Sequence, residues 1–247
     1  MPQIADQSQG ELQVKERGMF FSAPMVRAIL AGMKTQTRRL LKPALPIWWH
    51  SYGTTASGFV TFATERCGFA SGMKLWVRET FVLEDTYGYH GEHRVPRDGR
   101  PIRDMEDSEG SRWLLIPHYR ATEPEPHIVP DDLEDEHDDR TRWRPAIFMP
   151  RWASRISLDV TAVRVERLQD ISEEDARAEG AHDEGHCDHH RATCAEIGCV
   201  GPGYRGGYHS LWDTLHTKPG TTWNDSPWVV VIEFKRFNAQ PKQEQAA

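Results

Sequence analysis

The chain has 247 residues, 38% hydrophobic and 27% charged, with a formal net charge of −7. That length suits one domain with insertions better than two, and no run approaches the ~18 uncharged apolar residues of a membrane span. Residues 1–18 lack the apolar stretch of a secretory signal, and four cysteines are too few to staple the chain, so a bacterial-type cytoplasm is expected.

After the polar segment 1–18, read as a mobile tail, FFSAPMVRAILAG (20–32) predicts a helix. Ser22 is the N-cap candidate, Pro24 falls in the first turn, and Gly32 is a natural stop. Met25, Ala28 and Ile29 form the expected buried stripe. KTQTRRLLK (34–42) predicts a strand with Thr35, Thr37 and Arg39 on one face and Gln36, Arg38 and Leu40 on the other. Residues 43–58 read as loop and GFVTFAT (58–64) as a short strand. KLWVRETF (74–81) predicts a strand with Leu75 and Val77 on one face, Trp76 and Arg78 on the other.

Residues 84–110 are rich in Gly, Pro and charge and read as an insertion. RWLLIPHYRA (112–121) reads as a strand that Pro117 assigns to an edge or bulge. An acidic loop follows at 122–142, and residues 144–156 return to apolar and basic character. SLDVTAVRVERL (157–168) is the clearest strand. Leu158 and Val160 keep one parity while Val163 and Val165 take the other, which predicts a bulge near Thr161–Ala162. ISEEDARAEGA (171–181) predicts a short helix with a Ser172/Asp175 capping box and a stop at Gly180. GGYHSLWDTLHTK (206–218) predicts a helix burying Tyr208, Leu211, Trp212 and Leu215. PWVVVIEFKRF (227–237) is the closing strand, buried at Val229, Val231 and Ile232. This order predicts an α+β fold, a small and partly open β-barrel with helices at its ends.

Charge is segregated along the chain. Residues 131–139 (DDLEDEHDD) hold seven acids, and without them the formal charge is zero. Residues 19–64 contain no acid and five bases: Arg27, Lys34, Arg38, Arg39 and Lys42. A basic face is therefore compatible with an acidic protein, despite the net charge.

The sharpest chemical motif is Lys34-x-x-Thr37, directly after the helix stop. A threonine hydroxyl needs a neighbouring base, and a lysine of depressed pKa can serve. Arg38 or Arg39 lowers that pKa by like-charge repulsion, and burial adds to it. Residues 34 and 37 point to opposite faces of a regular strand, so Lys34 must lie in the turn before it. Spacing alone does not select the carboxylate partner among 37 acids.

AILAGMKTQTRR (28–39), GMKLWVRE (72–79), SEEDARAEG (172–180) and PWVVVIEFKRF (227–237) together resemble the ASCH domain family of the PUA-like superfamily. The likeness is to longer ASCH proteins of bacteriophage and prophage genomes and, at the motif level, to small bacterial N4-acetylcytidine amidohydrolases. The resemblance implies a PUA-like β-barrel with flanking helices and two long insertions. It also implies a catalytic set of Lys34, Thr37 and Glu179, the glutamate resting on the match to Ala176-Arg-Ala-Glu179. The family arginine falls on Arg39, and Gly72-Met73-Lys74 replaces the usual Gly-Asp. The implied reaction removes an acyl group from the exocyclic amine of a modified cytosine, with no metal in the catalytic step. Arg38, Arg39, Trp76 and Arg78 are the candidate substrate-binding residues.

PUA-like domains also bind RNA or modified bases without chemistry, since fold does not fix function. In that reading Lys34, Arg38 and Arg39 contact phosphates, and Trp48, Trp49 or Trp76 stacks on a base. Metal-assisted RNA cleavage is a third reading. The expected partner is a modified nucleoside or RNA, without a membrane, in a bacterial host cytoplasm if the chain is phage-encoded.

A second constellation is HDEGHCDHHRATCAEIGC (182–199), three cysteines among four histidines. Cys187, Cys194, Cys199 and one of His189 or His190 suit a tetrahedral structural Zn²⁺ that staples a loop without its own core. A polar loop with free thiols is the other reading, and Cys67 reads as a small buried residue. One ASCH/PUA-like domain is expected at 19–238, with insertions at about 84–150 and 182–205 and disordered tails at 1–18 and 239–247.

Overall fold

The computed structural model describes residues 15–41, 56–85, 98–106, 108–125, 142–183 and 203–237. The zinc-ligand candidates Cys187, His189, Cys194 and Cys199, the acidic run 131–139, Trp48, Trp49 and residues 1–14 and 239–247 of the tails lie outside them. The described elements are mixed α and β. In chain order they are β1 (Glu16–Phe20), α1 (Ala23–Leu30), β2 (Gln36–Leu40), α2 (Ala56–Arg66), β3 (Lys74–Arg78) and β4 (Phe81–Asp85). There follow β5 (Arg103–Glu106), β6 (Arg112–Tyr119), β7 (Ser157–Arg167), α3 (Glu173–Ala178), α4 (Gly203–Leu215) and β8 (Trp228–Phe237). No described helix is long and apolar enough to cross a membrane.

The main sheet has the strand order β1-β3-β7-β8-β2, with β1 parallel to β3 and the other pairs antiparallel. The long β7–β8 ribbon is its spine. Val230, Ile232 and Phe234 of β8 face one apolar cluster, together with Val26 and Ile29 of α1 and Leu75 and Val77 of β3. Val229 and Val231 face a second cluster with Ala176 of α3 and Tyr208 and Trp212 of α4. Residues 229–232 of β8 are thus covered on both faces, which is why β8 reads as a nearly continuous apolar run.

The sequence reading expects a small, partly open barrel; the described strands form a sheet whose edges, β1 and β2, do not pair with each other. Each five-residue edge strand pairs with one neighbour only. A side chain spans the gap instead, as the Arg39 guanidinium donates to the Phe20 carbonyl at 2.6 Å. Glu16, Arg17 and Gly18, assigned above to a tail, open β1 and pair with β3.

In α1, Ser22 has extended cap dihedrals but makes no side-chain cap bond, and Gly32 ends the turn at φ +74°. The buried stripe is Val26, Ala28 and Ile29; Met25 is only partly covered. In α3 the Ser172 hydroxyl accepts the Asp175 N–H, as the capping box predicts. GFVTFAT is helical rather than extended. Its covered positions, Val60 and Ala63 with Cys67 beyond, fall at helical spacing against the first cluster. Leu215 is exposed, because the covered stripe of α4 is Tyr204, Tyr208 and Trp212, each four residues apart.

The bulge in β7 falls between Val160 and Ala162. Before it, even-numbered residues face the first cluster; after it, Val163 and Val165 do. Arg164 and Glu166 therefore pair with Val231 and Val229 on the α3 side.

A second sheet, β4-β6-β5, packs on its own small cluster of Phe81, Tyr119, Met149 and Ala153. Two of its strands fall in the segment read as an insertion. Pro117 sits on the central strand, yet β5 pairs only with residues 112–115, so at Pro117 the strand β6 has a single neighbour.

Candidate active site

The turn between α1 and β2 fixes Lys34. The N–H groups of Met33 and Lys34 both donate to the Ala28 carbonyl, at 2.9 and 3.1 Å, and Thr35 N–H donates to Ala178 O at 2.8 Å. Lys34 thus precedes the strand, and its side chain, fully buried, turns toward the end of α3. Its ammonium donates to Glu179 Oε2 at 2.6 Å and to the Glu179 carbonyl at 2.7 Å. Gly180, at φ +79°, lets the two segments meet, since a Cβ there would lie 3.1 Å from Ala28 Cβ and 3.4 Å from Lys34 Cβ. Burial pushes the Lys34 pKa below its ordinary 10.5, against the pull of Glu179.

Arg38 extends this pair into a cage. It donates to Glu166 Oε1 at 2.6 and 3.0 Å, to Asp175 Oδ2 at 2.9 Å, to Glu179 Oε1 at 3.3 Å and to Gln36 Oε1 at 2.8 Å. Gln36 in turn donates to Asp175 Oδ1 at 2.7 Å. Arg164 joins Glu166, Asp175 and Glu233 from the rim. Burial disfavours the Arg38 charge, but Glu179 and then Glu166 outweigh it and raise its pKa.

Thr37 is 2% exposed and lies on the other face of β2, paired with Ile232 of the first cluster. No hydrogen bond joins its hydroxyl to Lys34 or Glu179. Arg39 shares the Thr37 face, and its guanidinium lies 5.4 Å from the Phe21 ring. Its Nε–H is a buried donor without a hydrogen-bond partner among the described residues.

The structure therefore joins Lys34, Glu179 and Arg38, and places Thr37 and Arg39 together one face away. Trp76 and Arg78 sit on β3, separated from β2 in the strand order by β7 and β8. Arg78 donates to the carbonyls of Ala146, at 3.1 Å, and Ile147. An open cleft of about 480 Å³ lies outside the same turn, lined by Met33, Thr35, Arg177, His182 and Tyr204 among others. Neither Lys34 nor Thr37 lines it, nor does any residue of β3.

Glu166, Asp175, Gln36 and Arg164 complete the cage around Arg38, and spacing does not single them out. A signal exists for some of them. Asp175 on α3 and Glu179 at its C-cap, still of helical conformation, are four residues apart, so both carboxylates share one face, and Arg164 and Glu166 alternate on β7. Among the described residues no group of three or more His, Cys, Asp or Glu could hold a metal.

No protein-family model matches the chain, and no curated protein matches it. A solved structure is similar at low level: the high-resolution crystal structure of an ASCH domain from Lactobacillus crispatus JV V101. It shares 13% identity with a TM-score of 0.31, over 90% of this chain and 79% of that one.

Proposed function

We propose that this chain is an ASCH-type, PUA-like amidohydrolase that removes an acyl group from the exocyclic amine of a modified cytosine, N4-acetylcytidine-like, free or within RNA. The observation that carries the reading is the buried Lys34–Glu179 pair at 2.6 Å, three residues before a buried threonine.

The chemistry uses this chain's own groups. Burial favours the neutral Lys34 amine, and Glu179 accepts the proton that Lys34 sheds. The reading requires the Lys34 amine and the Thr37 hydroxyl, which lie on opposite faces of β2, to come within hydrogen-bond reach in the substrate complex. The Thr37 proton passes to Lys34 as Oγ bonds to the acyl carbon. The unpartnered Arg39 Nε–H receives the resulting oxyanion. The C–N bond then breaks as Glu179 gives its proton to the leaving amine; water next attacks the acyl carbon, passing a proton to Glu179, and the acyl–oxygen bond breaks as Lys34 returns the proton to the Thr37 oxygen, releasing the carboxylic acid.

The test is product mass after incubation with N4-acetylcytidine and N4-acetyldeoxycytidine. Wild type releases acetate; Thr37→Ala and Lys34→Ala lose about 10²–10⁴-fold in rate. The working site shares one proton between Lys34 and Glu179, so the wild-type rate falls as pH rises through the lowered Lys34 pKa and that proton is lost. Unchanged turnover in both variants overturns the mechanism, and no release by wild type overturns the activity.

A further inference from the structure

The amidohydrolase chemistry leaves the cleft outside the α1–β2 turn unused. Its volume of about 480 Å³ falls within the range of ~300–1,000 Å³ typical of small-molecule sites. Its floor is chain that the fold holds firmly. Thr35 is tied to the end of α3 by its N–H bond to the Ala178 carbonyl, and Gly180 closes against the same turn at φ +79°. Lys34 and Glu179, the chain neighbours of Thr35 and Gly180, turn away into the buried pair. Cleft and cage therefore share a wall without sharing a side chain.

Two opposite charges line the cleft and neither is satisfied. Glu174 and Arg177 are three residues apart on α3, the spacing at which opposite charges pair along a helix. They do not pair. No hydrogen bond or ion pair joins either side chain to a described residue, and the Arg177 guanidinium instead lies 5.8 Å from the Tyr204 ring centroid. The Thr35 hydroxyl and the His182 imidazole, also in the lining, are likewise without a partner among the described residues. The remaining side chains of the lining are apolar. Met33 is 63% exposed, and the half-buried Tyr204 ring, Ala178 and Ala181 join it. A thioether and an aromatic ring suit an apolar or planar body.

One positive and one negative charge beside such a surface fit a ligand that carries both charges and an apolar group. An anion alone would face Glu174, and a cation alone would face Arg177. Positions three apart on a helix have Cβ atoms about 5–6 Å from each other. An ammonium and a carboxylate on a single carbon bridge that separation with one charge-assisted hydrogen bond at each end.

We propose that this cleft binds a free apolar or aromatic α-amino acid, with its carboxylate on Arg177, its ammonium on Glu174 and its side chain against Met33 and Tyr204. The proposal stands independently of the amidohydrolase reading, since none of these residues belongs to the Lys34–Thr37–Glu179 set.

The experiment is isothermal titration calorimetry of the full chain with L-phenylalanine and two blocked forms of it. N-acetyl-L-phenylalanine lacks the ammonium, and L-phenylalaninamide lacks the carboxylate. L-Phenylalanine saturates the protein at about millimolar concentration or below. Each blocked form binds at least about 10-fold more weakly, the scale of losing one charge-assisted hydrogen bond. Arg177→Gln weakens L-phenylalanine to the level of its amide, and Glu174→Gln weakens it to the level of its N-acetyl form. Both positions are exposed, so the variants keep the circular dichroism of the wild type. Absence of L-phenylalanine binding at millimolar concentration overturns the proposal. So does equal affinity for either blocked form, or unchanged affinity in both variants.

Discussion

Arg38 in the main sheet and His118 in the second sheet are both cations clasped by carboxylates, and they behave oppositely. Arg38 is fully buried and answers to Glu166, Asp175 and Glu179. His118, on β6, has Nε2 2.8 Å from Glu84 Oε2 and Nδ1 2.7 Å from Glu123 Oε2. Arg100 leans on the same group, 3.3 Å from Nδ1, and is paired with Glu123 and Asp98. Burial lowers the imidazole pKa, but the hydrogen bonds to Glu84 and Glu123 outweigh it and hold it above 6.5. A guanidinium keeps its charge at any working pH, whereas an imidazole does not. One clasp is therefore permanent and the other is conditional on pH.

The largest expected effect tests the permanent clasp. Arg38→Met removes the buried cation shared by Glu166, Asp175 and Glu179, leaving them to Arg164 and Lys34, and costs about 3–5 kcal/mol of stability by urea unfolding, the usual scale for breaking a buried pair from one side. A loss under ~1 kcal/mol would show that water already screens the cage. The conditional clasp comes next. His118→Gln costs about 1–3 kcal/mol where the imidazole is charged. Because the folded pKa is raised, that stabilisation is complete below about 6.5 and fades as pH rises through the folded value. Melting curves of wild type and variant therefore converge as pH rises above the folded value, and a gap that widens instead would reverse the assignment. The smallest effect belongs to the Glu16–Arg151 pair, 42% and 44% exposed. Arg151→Ala shifts stability by no more than about 1 kcal/mol, which sets the baseline for the other two.

Much of the main sheet is visible in local pattern. The Gly32 stop, the parity conflict that forces Lys34 into a turn, the β7 bulge and the α3 capping box all follow from neighbouring residues. The cage does not, because its partners are far apart: 145 residues separate Lys34 from Glu179 and 128 separate Arg38 from Glu166. No spacing rule reaches that far, and only the resemblance selected Glu179. Two elements were misread for opposite reasons. The aromatic and β-branched content of GFVTFAT favours a strand locally, and packing against the first cluster overrides it. Glu16-Arg17-Gly18 looks like tail because an edge strand needs only backbone pairing, and Gly18 is there to make room for Trp76.

The bulge in β7 also makes Thr161 a spacer in a literal sense. Its side chain is exposed, and the contact made there is the Thr161 carbonyl accepting Ser71 Oγ at 2.9 Å. Any residue can supply that carbonyl, so replacing Thr161 disturbs little. Deleting it removes the bulge: Val160 and Ala162 then follow one another opposite Phe234 and Glu233, Val163 and Val165 stay on the first cluster, and Arg164 and Glu166 stay in the cage. Flattening the bulge with Thr161 kept in the ladder is what turns Arg164 and Glu166 into the apolar layer. Thr161 is thus the residue set aside so that two halves of one strand can each bury their own parity.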